Sequence, residues 1–181
     1  TNPFDDVIET GDGPKGTAVG GDGNDLILGG DGRGKLFGLG GDDLISGGAV
    51  RDRIYGGNGN DVLLGGDGND FIKGGSGRDT ISGGAGNDKL FGGDGSDVFR
   101  FSSGDGSDMI RDFETAKFKR RTFIEGDEIE LRVEGIDSFG ALLAVASEER
   151  GGVLFDFGNG DELFLAGTRL ASLDSDKFSF Y

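Results

Sequence analysis

The sequence predicts an all-β protein in which very short strands alternate with tight glycine turns, and three observations predict it. Residues 20–100 divide into nine consecutive nonapeptides, with Gly at position one of all nine and Asp at position six of eight. Gly supplies 40 of the 181 residues but does not recur at every third position, which excludes a collagen helix. Position eight is the one constantly apolar site, as expected where a strand turns every second side chain inwards.

Each repeat is therefore expected to bury one side chain in a core, while most of its other residues form a turn. Position eight is Ile, Leu or Phe in every copy, at Ile27, Leu36, Ile45, Ile54, Leu63, Ile72, Ile81, Leu90 and Phe99. Positions two and four are Gly in eight copies each, with Leu39 and Val50 as the exceptions. Gly adopts the positive φ angles that such tight turns require.

The composition favours a cation as the main partner of the chain. There are 34 acidic and 18 basic residues, for a net charge of −16, which argues against nucleic acid and anionic membranes. Cys and His are both absent, so only oxygen atoms remain as metal ligands and the usual Cys and His catalysts are excluded. The longest apolar run, 141–146, is too short to insert in a membrane. The opening Thr suggests an end cut from a longer chain with an upstream domain.

The repeat pattern Gly-Gly-x-Gly-x-Asp-x-U-x, where U is apolar, resembles the RTX calcium-binding nonapeptide. The resemblance implies a right-handed parallel β-roll, or β-helix, which holds calcium. A tenth copy, 103–111, follows a two-residue insertion, whereas 11–19 keeps the length of a repeat but has Gly16 in place of Asp. The expected domains are a degenerate N-terminal turn leading into the roll (1–19), the calcium-binding RTX β-roll (20–111), and a β-rich C-terminal cap with one short helix and a type I secretion signal (112–181).

With two nonapeptides in each coil, copy n lies about 4.8 Å from copy n+2, and their aspartates can share one ion. Calcium prefers six to eight oxygen ligands in a flexible geometry, which suits stacked carboxylates and crowded turn carbonyls and predicts about six or more ions. Asp52 would face Gly34 on one side, so that site should be weak or empty. The expected ligands are the side chains of Asp25, Asp43, Asp52, Asp61, Asp70, Asp79, Asp88, Asp97 and Asp108 and the backbone of Gly57, Gly59, Gly66, Gly68, Gly75, Gly77, Gly84 and Gly86.

After residue 101 the composition changes, because Gly becomes rarer and Phe becomes frequent. The segments "GDGSDMIRDF", "GDEIEL" and "DFGNGDELFLAGTRLASLDSDKFSF" resemble the C-terminal caps of secreted RTX proteins. Between them, "DSFGALLAVASEE" is predicted to be a helix with Ser138 as its N-cap and Phe139, Leu142, Leu143 and Ala146 on its apolar face. "VLFDFGNGDELFLAG" is predicted to be a hairpin around Gly158-Asn159-Gly160.

The resemblance implies a non-catalytic calcium-binding module, secreted from the cell, whose acidic and then hydrophobic tail "LDSDKFSFY" is read by a type I (ABC) exporter. The alternative is a polysaccharide- or surface-binding module of an adhesin, epimerase, lyase or lipase, because aromatic and basic residues recur at the outward positions seven and nine. An enzyme in its own right is disfavoured, since the patterned carboxylates are assigned to metal. The basic cluster Lys117, Lys119, Arg120 and Arg121 is either a solvated loop or a contact with an acidic polymer or a partner domain.

Overall fold

Each nonapeptide folds as one short strand followed by a glycine turn. The computed structural model describes residues 5–10, 15–115, 117–119, 122–124 and 126–181. The strands of the repeat region, in chain order, are β1 (Val7–Glu9), β2 (Lys15–Asp22), β3 (Leu26–Leu28), β4 (Arg33–Gly40), β5 (Leu44–Gly48), β6 (Arg53–Asn58), β7 (Val62–Asp67), β8 (Phe71–Ser76), β9 (Thr80–Ala85), β10 (Lys89–Asp94), β11 (Val98–Ser102) and β12 (Ser107–Ile110).

Successive strands of the repeat region alternate between two parallel sheets. Sheet one contains the odd-numbered strands β1 to β11, and sheet two contains the even-numbered strands β2 to β12. Each strand pairs in parallel with the strand two further on, so that Ile45 lies opposite Leu63 in sheet one and Ile54 lies opposite Ile72 in sheet two. One coil therefore consists of two nonapeptides, and the predicted parallel β-roll is confirmed as a solenoid of about six turns.

The core between the two sheets consists of the position-eight side chains. All nine of them, from Ile27 to Phe99, are at most 1% exposed. Their neighbours at positions seven and nine point to the outer faces, because side chains alternate along a strand. One apolar residue per repeat is thus enough to fill the interior of the roll, and Phe101, Ile110, Ile129 and Leu131 continue the same core beyond the last repeat.

The cap extends both sheets and closes the end of the roll. Its elements are β13 (Lys117–Lys119), β14 (Thr122–Ile124), β15 (Glu128–Arg132), α1 (Phe139–Ala144), β16 (Ala146–Glu149), β17 (Gly152–Gly158), β18 (Asp161–Ala166), two 3-10 turns (Leu170–Ser172 and Ser175–Lys177) and β19 (Phe178–Phe180). Strands β15 and β19 continue sheet one in parallel after β11. Strand β18 pairs in parallel with β12 in sheet two, and β17 and β16 follow it in antiparallel order.

The predicted helix of the cap is shorter than the sequence suggested. Ser138 is its N-cap, as predicted, and the Ser138 Oγ accepts a hydrogen bond of 3.2 Å from the Ala141 N–H. The helix ends at Ala144, however, and the predicted helical residues Ala146–Glu149 form β16 instead. Backbone pairing with β17 explains the difference, because a strand partner overrides weak local helix preference. Leu142 is fully buried, whereas Leu143 is 38% exposed and does not belong to the apolar face.

The predicted hairpin of the cap is present as β17 and β18. The turn between them contains Asn159, whose φ of 56° is the left-handed conformation that Asn tolerates. The segment predicted as a loop with basic residues forms a second, two-stranded hairpin, in which Lys117 pairs with Ile124 and Lys119 with Thr122. The side chains of this hairpin, and Arg120 and Arg121 altogether, lie outside the described residues.

Both sheets extend upstream of the first full repeat. Strand β1 pairs with β3, and β2 pairs with β4 from Lys15 onwards, with Ala18 buried at the position of a core residue. The domain boundaries drawn from the sequence stay predictions. Among the helices of the described residues, none combines the length and the apolar character that crossing a membrane would require.

Candidate metal-binding turns

The nine predicted aspartates are buried in two columns, one along each edge of the roll. Each is at most 2% exposed. In each column, the backbone N–H of one aspartate donates a hydrogen bond to the Oδ1 of the aspartate one coil further on. Seven such bonds, of 2.7 to 3.0 Å, join Asp25 to Asp43, Asp43 to Asp61, Asp61 to Asp79, Asp79 to Asp97, Asp52 to Asp70, Asp70 to Asp88 and Asp88 to Asp108.

This register agrees with the pairing that the repeat spacing predicts, including Asp88 with Asp108 across the two-residue insertion. At the upstream end of its column, Asp52 faces a glycine, and its Oδ1 accepts a hydrogen bond from the Gly34 N–H. That pair contains only one carboxylate. The column ends there in ordinary strand pairing of Gly34 with Gly16.

The second carboxylate oxygen of each of these aspartates is buried without a partner. In all nine, Oδ2 makes no hydrogen bond within the described structure and is shielded from solvent. An ionised oxygen left unsatisfied in a protein interior is unfavourable by a few kcal/mol. Nine such atoms in a regular array are open to a proton or to a cation.

The pKa values of several aspartates in the two columns are raised. Burial, reinforced by the neighbouring carboxylates of the column, raises the pKa of Asp70 and of Asp79 to about 7. Burial and the adjacent Asp88 raise the pKa of Asp108 to about 8. A carboxyl group with a raised pKa takes up a proton or a cation more readily, because either one relieves the cost of the buried charge.

Glycine at position one leaves room for the carboxylate and for a backbone oxygen. A Cβ placed on Gly56 would overlap the Asp61 Oδ2 of the same repeat and would lie 2.7 Å from the Gly74 carbonyl oxygen of the next coil. Position one of the neighbouring coil therefore brings a carbonyl close to the orphaned Oδ2. The predicted set contained only positions two and four, although Gly at position one of all nine copies was the signal for this role.

Glycine at positions two and four serves the conformation of the turn. The eight predicted glycines, from Gly57 to Gly86, all have φ angles between 84° and 149°. Their carbonyls point along the roll, because a Cβ on Gly75 would overlap the Gly57 carbonyl oxygen and one on Gly77 would overlap that of Gly59. Within the described residues, no three acidic side chains are grouped so that they could hold a metal ion by themselves, so a bound cation would also need backbone carbonyls as ligands.

A comparison with protein families identifies this arrangement. The RTX calcium-binding nonapeptide repeat matches the chain in four overlapping copies, at residues 17–43, 37–72, 64–99 and 73–110. The chain belongs to the RTX family. RTX repeats bind calcium in a parallel β-roll, and proteins of this family are typically secreted through type I systems.

The comparison with solved structures supports the RTX fold. The extracellular lipase LipA from Serratia marcescens matches with a TM-score of 0.52 and 18% sequence identity, over 92% of this chain and 40% of the lipase. This similarity shows a shared fold, and the present chain spans less than half the length of that lipase. No curated protein matches the sequence.

The RTX column of sheet one ends on Asp127, which is not among the ligands predicted from the sequence. The Asp127 Oδ1 accepts a hydrogen bond of 3.0 Å from the Asp97 N–H, and its Oδ2 accepts one of 2.7 Å from the Glu114 N–H. Asp127 is thus the next rung after Asp97, but both of its oxygens have partners. The segment "GDEIEL" carried the signal, since Asp127 and Ile129 have the spacing of positions six and eight of a repeat.

A second ladder of the RTX turns, at position five, was also missed. The side-chain oxygen of Asn or Asp at this position accepts a hydrogen bond from the position-five N–H of the next coil. The Asp42 N–H thus donates to the Asn24 Oδ1, and the Asn60 N–H donates to the Asp42 Oδ1. The same bond links Asn69 to Asn87. It runs in the opposite direction to the position-six ladder and is exposed. Asn or Asp at position five of five of the nine repeats was the available signal.

Proposed function

We propose that this chain is the calcium-responsive folding and export module of a larger secreted protein. The proposal rests on the nine buried aspartate Oδ2 atoms, which have no hydrogen-bond partner among the residues that the structure describes. RTX repeats bind calcium, and the chain offers no buried basic side chain among the described residues to neutralise these oxygen atoms. The residues present therefore fit the ion that the family implies.

The proposed ligands are the nine aspartates together with backbone carbonyls of the turn glycines. Positions two and four supply carbonyls in the predicted set, and position one joins them because of its proximity to Oδ2. Calcium is a divalent ion that is coordinated by six to eight oxygen atoms. One ion could therefore be bound by carboxylates from two coils together with several backbone carbonyls. About six or more such ions would neutralise most of the net charge of −16.

Calcium then acts as a folding switch. Without it, the columns bring like charges together at every coil, and the single core residue per repeat compensates only part of the lost chain entropy. Calcium sites of extracellular modules have affinities of about 10⁻⁴ to 10⁻³ M, far above cytosolic calcium concentrations. The repeats would therefore stay unfolded inside the cell and fold outside it.

The position of the C-terminal tail links this switch to export. Residues 178–180 are the last strand of sheet one, and the ring of Phe178 is 6% exposed and contacts Phe139 and Phe155 at centroid distances of 5.5 and 6.1 Å. A type I exporter that reads this tail must meet it before the cap folds. An unfolded chain in the cytosol keeps the tail available, and calcium outside the cell would sequester it.

We assign any catalytic activity to a part of the proposed larger protein that lies outside this chain. The β-roll of RTX repeats is a structural calcium-binding module. The patterned carboxylates of this chain are all accounted for by the two columns. The match to 40% of the length of a lipase is consistent with a module attached to a further domain, whose activity this chain does not specify.

One observation favours the alternative, a polysaccharide- or surface-binding module. Aromatic rings form a continuous ladder on the outer face of sheet two, from Phe37 through Tyr55 and Phe71 to Phe91. Their centroid separations are 4.9, 5.8 and 5.2 Å. The two functions are compatible, since the calcium columns occupy the edges of the roll and the rings occupy one face.

The main proposal is tested by calcium titration of the chain, followed by circular dichroism and by hydrogen exchange. We expect strand content and amide protection in residues 20–111 to appear together as calcium is added, and to be lost on chelation. The variant Asp70→Asn should raise the calcium midpoint, whereas Asp67→Asn, an exposed aspartate of the same repeat, should not. Equal protection with and without chelator would refute the switch.

Export is tested in cells that carry a type I system. Deletion of residues 171–181 should abolish export, whereas Phe178→Ala, which keeps the length and most of the sequence of the tail, should be exported but fold less stably outside. Export of the deleted chain at the normal level would overturn the assignment of the signal to the tail.

A further inference from the structure

A groove on the outer face of sheet two collects basic side chains near the upstream end of the roll. Lys15, Arg33, Lys35, Arg51 and Arg53 line it, and its volume is about 460 Å³. All five side chains are exposed. A chain with 18 basic residues and a net charge of −16 thus places five of its cations in one groove.

The register of the strands builds this groove. Lys15 pairs with Arg33, and Lys35 pairs with Arg53, so these side chains lie on successive rungs about 4.8 Å apart. Strand β4 begins at Arg33, position five of its repeat, where the neighbouring Gly34 replaces the usual aspartate. Extended backbone from this point turns Arg33 and Lys35 to the same face, because side chains two apart share one side of a strand.

The cations of the groove form no ion pair among the described residues, although Arg51 lies near enough to the buried Asp70 carboxylate to interact with it electrostatically. The ion pairs formed by the described residues are Arg78 with Glu128 and Arg100 with Glu130, both on the other sheet. Like charges on adjacent strands destabilise a sheet, and an anion bound between them would remove that penalty. Negative charges that lie more than about 8 Å from the groove weaken its attraction for an anion little, because they are largely screened at physiological salt.

The face beyond the groove combines cations with aromatic rings. Four successive strands of sheet two each present one cation and one ring to the outside. These pairs are Lys35 and Phe37 on β4, Arg53 and Tyr55 on β6, Lys73 and Phe71 on β8, and Lys89 and Phe91 on β10. The corresponding positions of sheet one carry Leu, Val, Thr and Ser almost throughout, so the pattern belongs to one face of the roll.

We propose that this basic and aromatic face binds an acidic polysaccharide, with its carboxylate or sulfate groups in the groove and its sugar rings along the aromatic ladder. Arg pairs with carboxylate and sulfate oxygens through two parallel hydrogen bonds, and the ladder offers an apolar strip to the C–H faces of sugars. The proposal deepens the alternative function given above and requires only that the roll is folded.

The arrangement of the rings favours a saccharide over a single-stranded nucleic acid. Proteins that bind such strands offer free ring faces on which bases stack. Phe37 and Tyr55 instead stack on each other, with 6° between their planes. Their faces are thus partly covered, and what they present to a ligand is a continuous apolar edge.

The test measures binding of defined oligosaccharides to the calcium-folded chain by titration calorimetry. A hyaluronan decasaccharide, which carries carboxylates, should bind, and a neutral chitin hexasaccharide should bind at least about tenfold more weakly. Arg33→Gln and Arg51→Gln should each weaken hyaluronan binding several-fold, and Tyr55→Thr should weaken it as well. Arg78→Gln is the matched control, because Arg78 is also at position five but lies on the opposite edge, and it should leave binding unchanged.

Several outcomes would overturn the proposal. The first is the absence of hyaluronan binding at low salt, and the second is equally tight binding of the neutral oligosaccharide. The third is equally tight binding of inorganic polyphosphate together with unchanged binding by Tyr55→Thr, because that result would show that charge attraction alone accounts for binding. Each variant is first titrated with calcium by circular dichroism, and Lys35→Gln replaces any that fails to fold. If the chain folds with calcium but does not bind hyaluronan, this inference is refuted and the folding switch stands. If the chain does not fold on addition of calcium, the folding switch is refuted.

Discussion

The backbone N–H of Asp97 donates a hydrogen bond to the Oδ1 of Asp127, thirty residues further along the chain. The Glu114 N–H donates to the second oxygen of Asp127, whereas the second oxygen of Asp97 is buried and has no hydrogen-bond partner among the described residues. Asp127 thus ends the column as an acceptor of backbone hydrogen bonds, and its bond with Asp97 adds to the strand pairings that join the cap to the roll.

The first prediction separates these two aspartates. Asp97→Asn should lower the number of calcium ions bound per chain, because it removes a carboxylate with a free oxygen. Asp127→Asn should leave that number unchanged but lower the free energy of unfolding by about 1 to 3 kcal/mol, since the Glu114 N–H loses its acceptor. Calorimetric stoichiometry and denaturant unfolding in saturating calcium measure the two effects. A loss of ions on Asp127→Asn as large as that on Asp97→Asn would show that Asp127 is a ligand.

The second prediction concerns position along a column. Asp70 has an aspartate on the coil before it and another on the coil after it, Asp52 and Asp88. Asp25 has one such partner among the repeats, Asp43. Asp70→Asn should therefore raise the calcium midpoint for folding more than Asp25→Asn, as measured by circular dichroism. Equal shifts, or a larger shift for Asp25→Asn, would contradict the sharing of ions between coils.

The third prediction uses the one repeat that lacks Gly at position two. Leu39 has a φ of 86° and is 48% exposed, so it carries backbone strain without contributing much to packing. Leu39→Gly should stabilise the calcium-loaded chain by about 1 kcal/mol and raise its melting temperature by about 2 to 4 °C. Leu64→Gly, at an exposed strand position, is the control and should destabilise it. A lower melting temperature for Leu39→Gly would show that its side chain matters more than its strain.

The fourth prediction concerns pH. The folded-state pKa of Asp70 and of Asp79 is about 7, above the ordinary value of about 3.9 for an unfolded chain. Between these values the folded roll binds more protons than the unfolded chain, so its calcium-free stability is greatest near pH 4 and is lost as the pH rises through about 7. In chelator, strand content should fall between pH 5 and pH 8.

With calcium present the dependence should reverse, because protons compete for the same carboxylates. The calcium midpoint should be higher at pH 5 than at pH 8, and Asp70→Asn should reduce both pH effects. A midpoint independent of pH would show that these carboxylates do not hold the ion.

Much of the roll could be predicted because its contacts repeat at a fixed spacing. Ile54 and Ile72 are eighteen residues apart and pair in the sheet, and Asp52 and Asp70 follow the same interval. A regular period converts long-range pairing into a local pattern, so one repeat specifies the environment of all the others. The hairpin around Asn159 was predictable for a similar reason, since its turn signal lies between two short apolar runs.

The cap could be predicted only in part, because its contacts have no period. Ala146–Glu149 has residues that suit a helix, and only the presence of β17 beside it makes it a strand. Residues 178–180 pair with β15, about fifty residues earlier, which no local pattern indicates. The pairing of Asp97 with Asp127 crosses an insertion that breaks the eighteen-residue interval.

By itself, the sequence determined the nonapeptide, the inward position eight, the two columns of aspartates and the need for a cation, because each of these follows from residue type at a regular interval. The tertiary structure alone decided that position-one glycines crowd the carboxylates, that Asp127 ends a column without an unpaired oxygen, and that five cations meet in one groove. These features depend on which atoms approach across neighbouring coils, and such distances are set by the register of the sheets rather than by the order of residues in the chain.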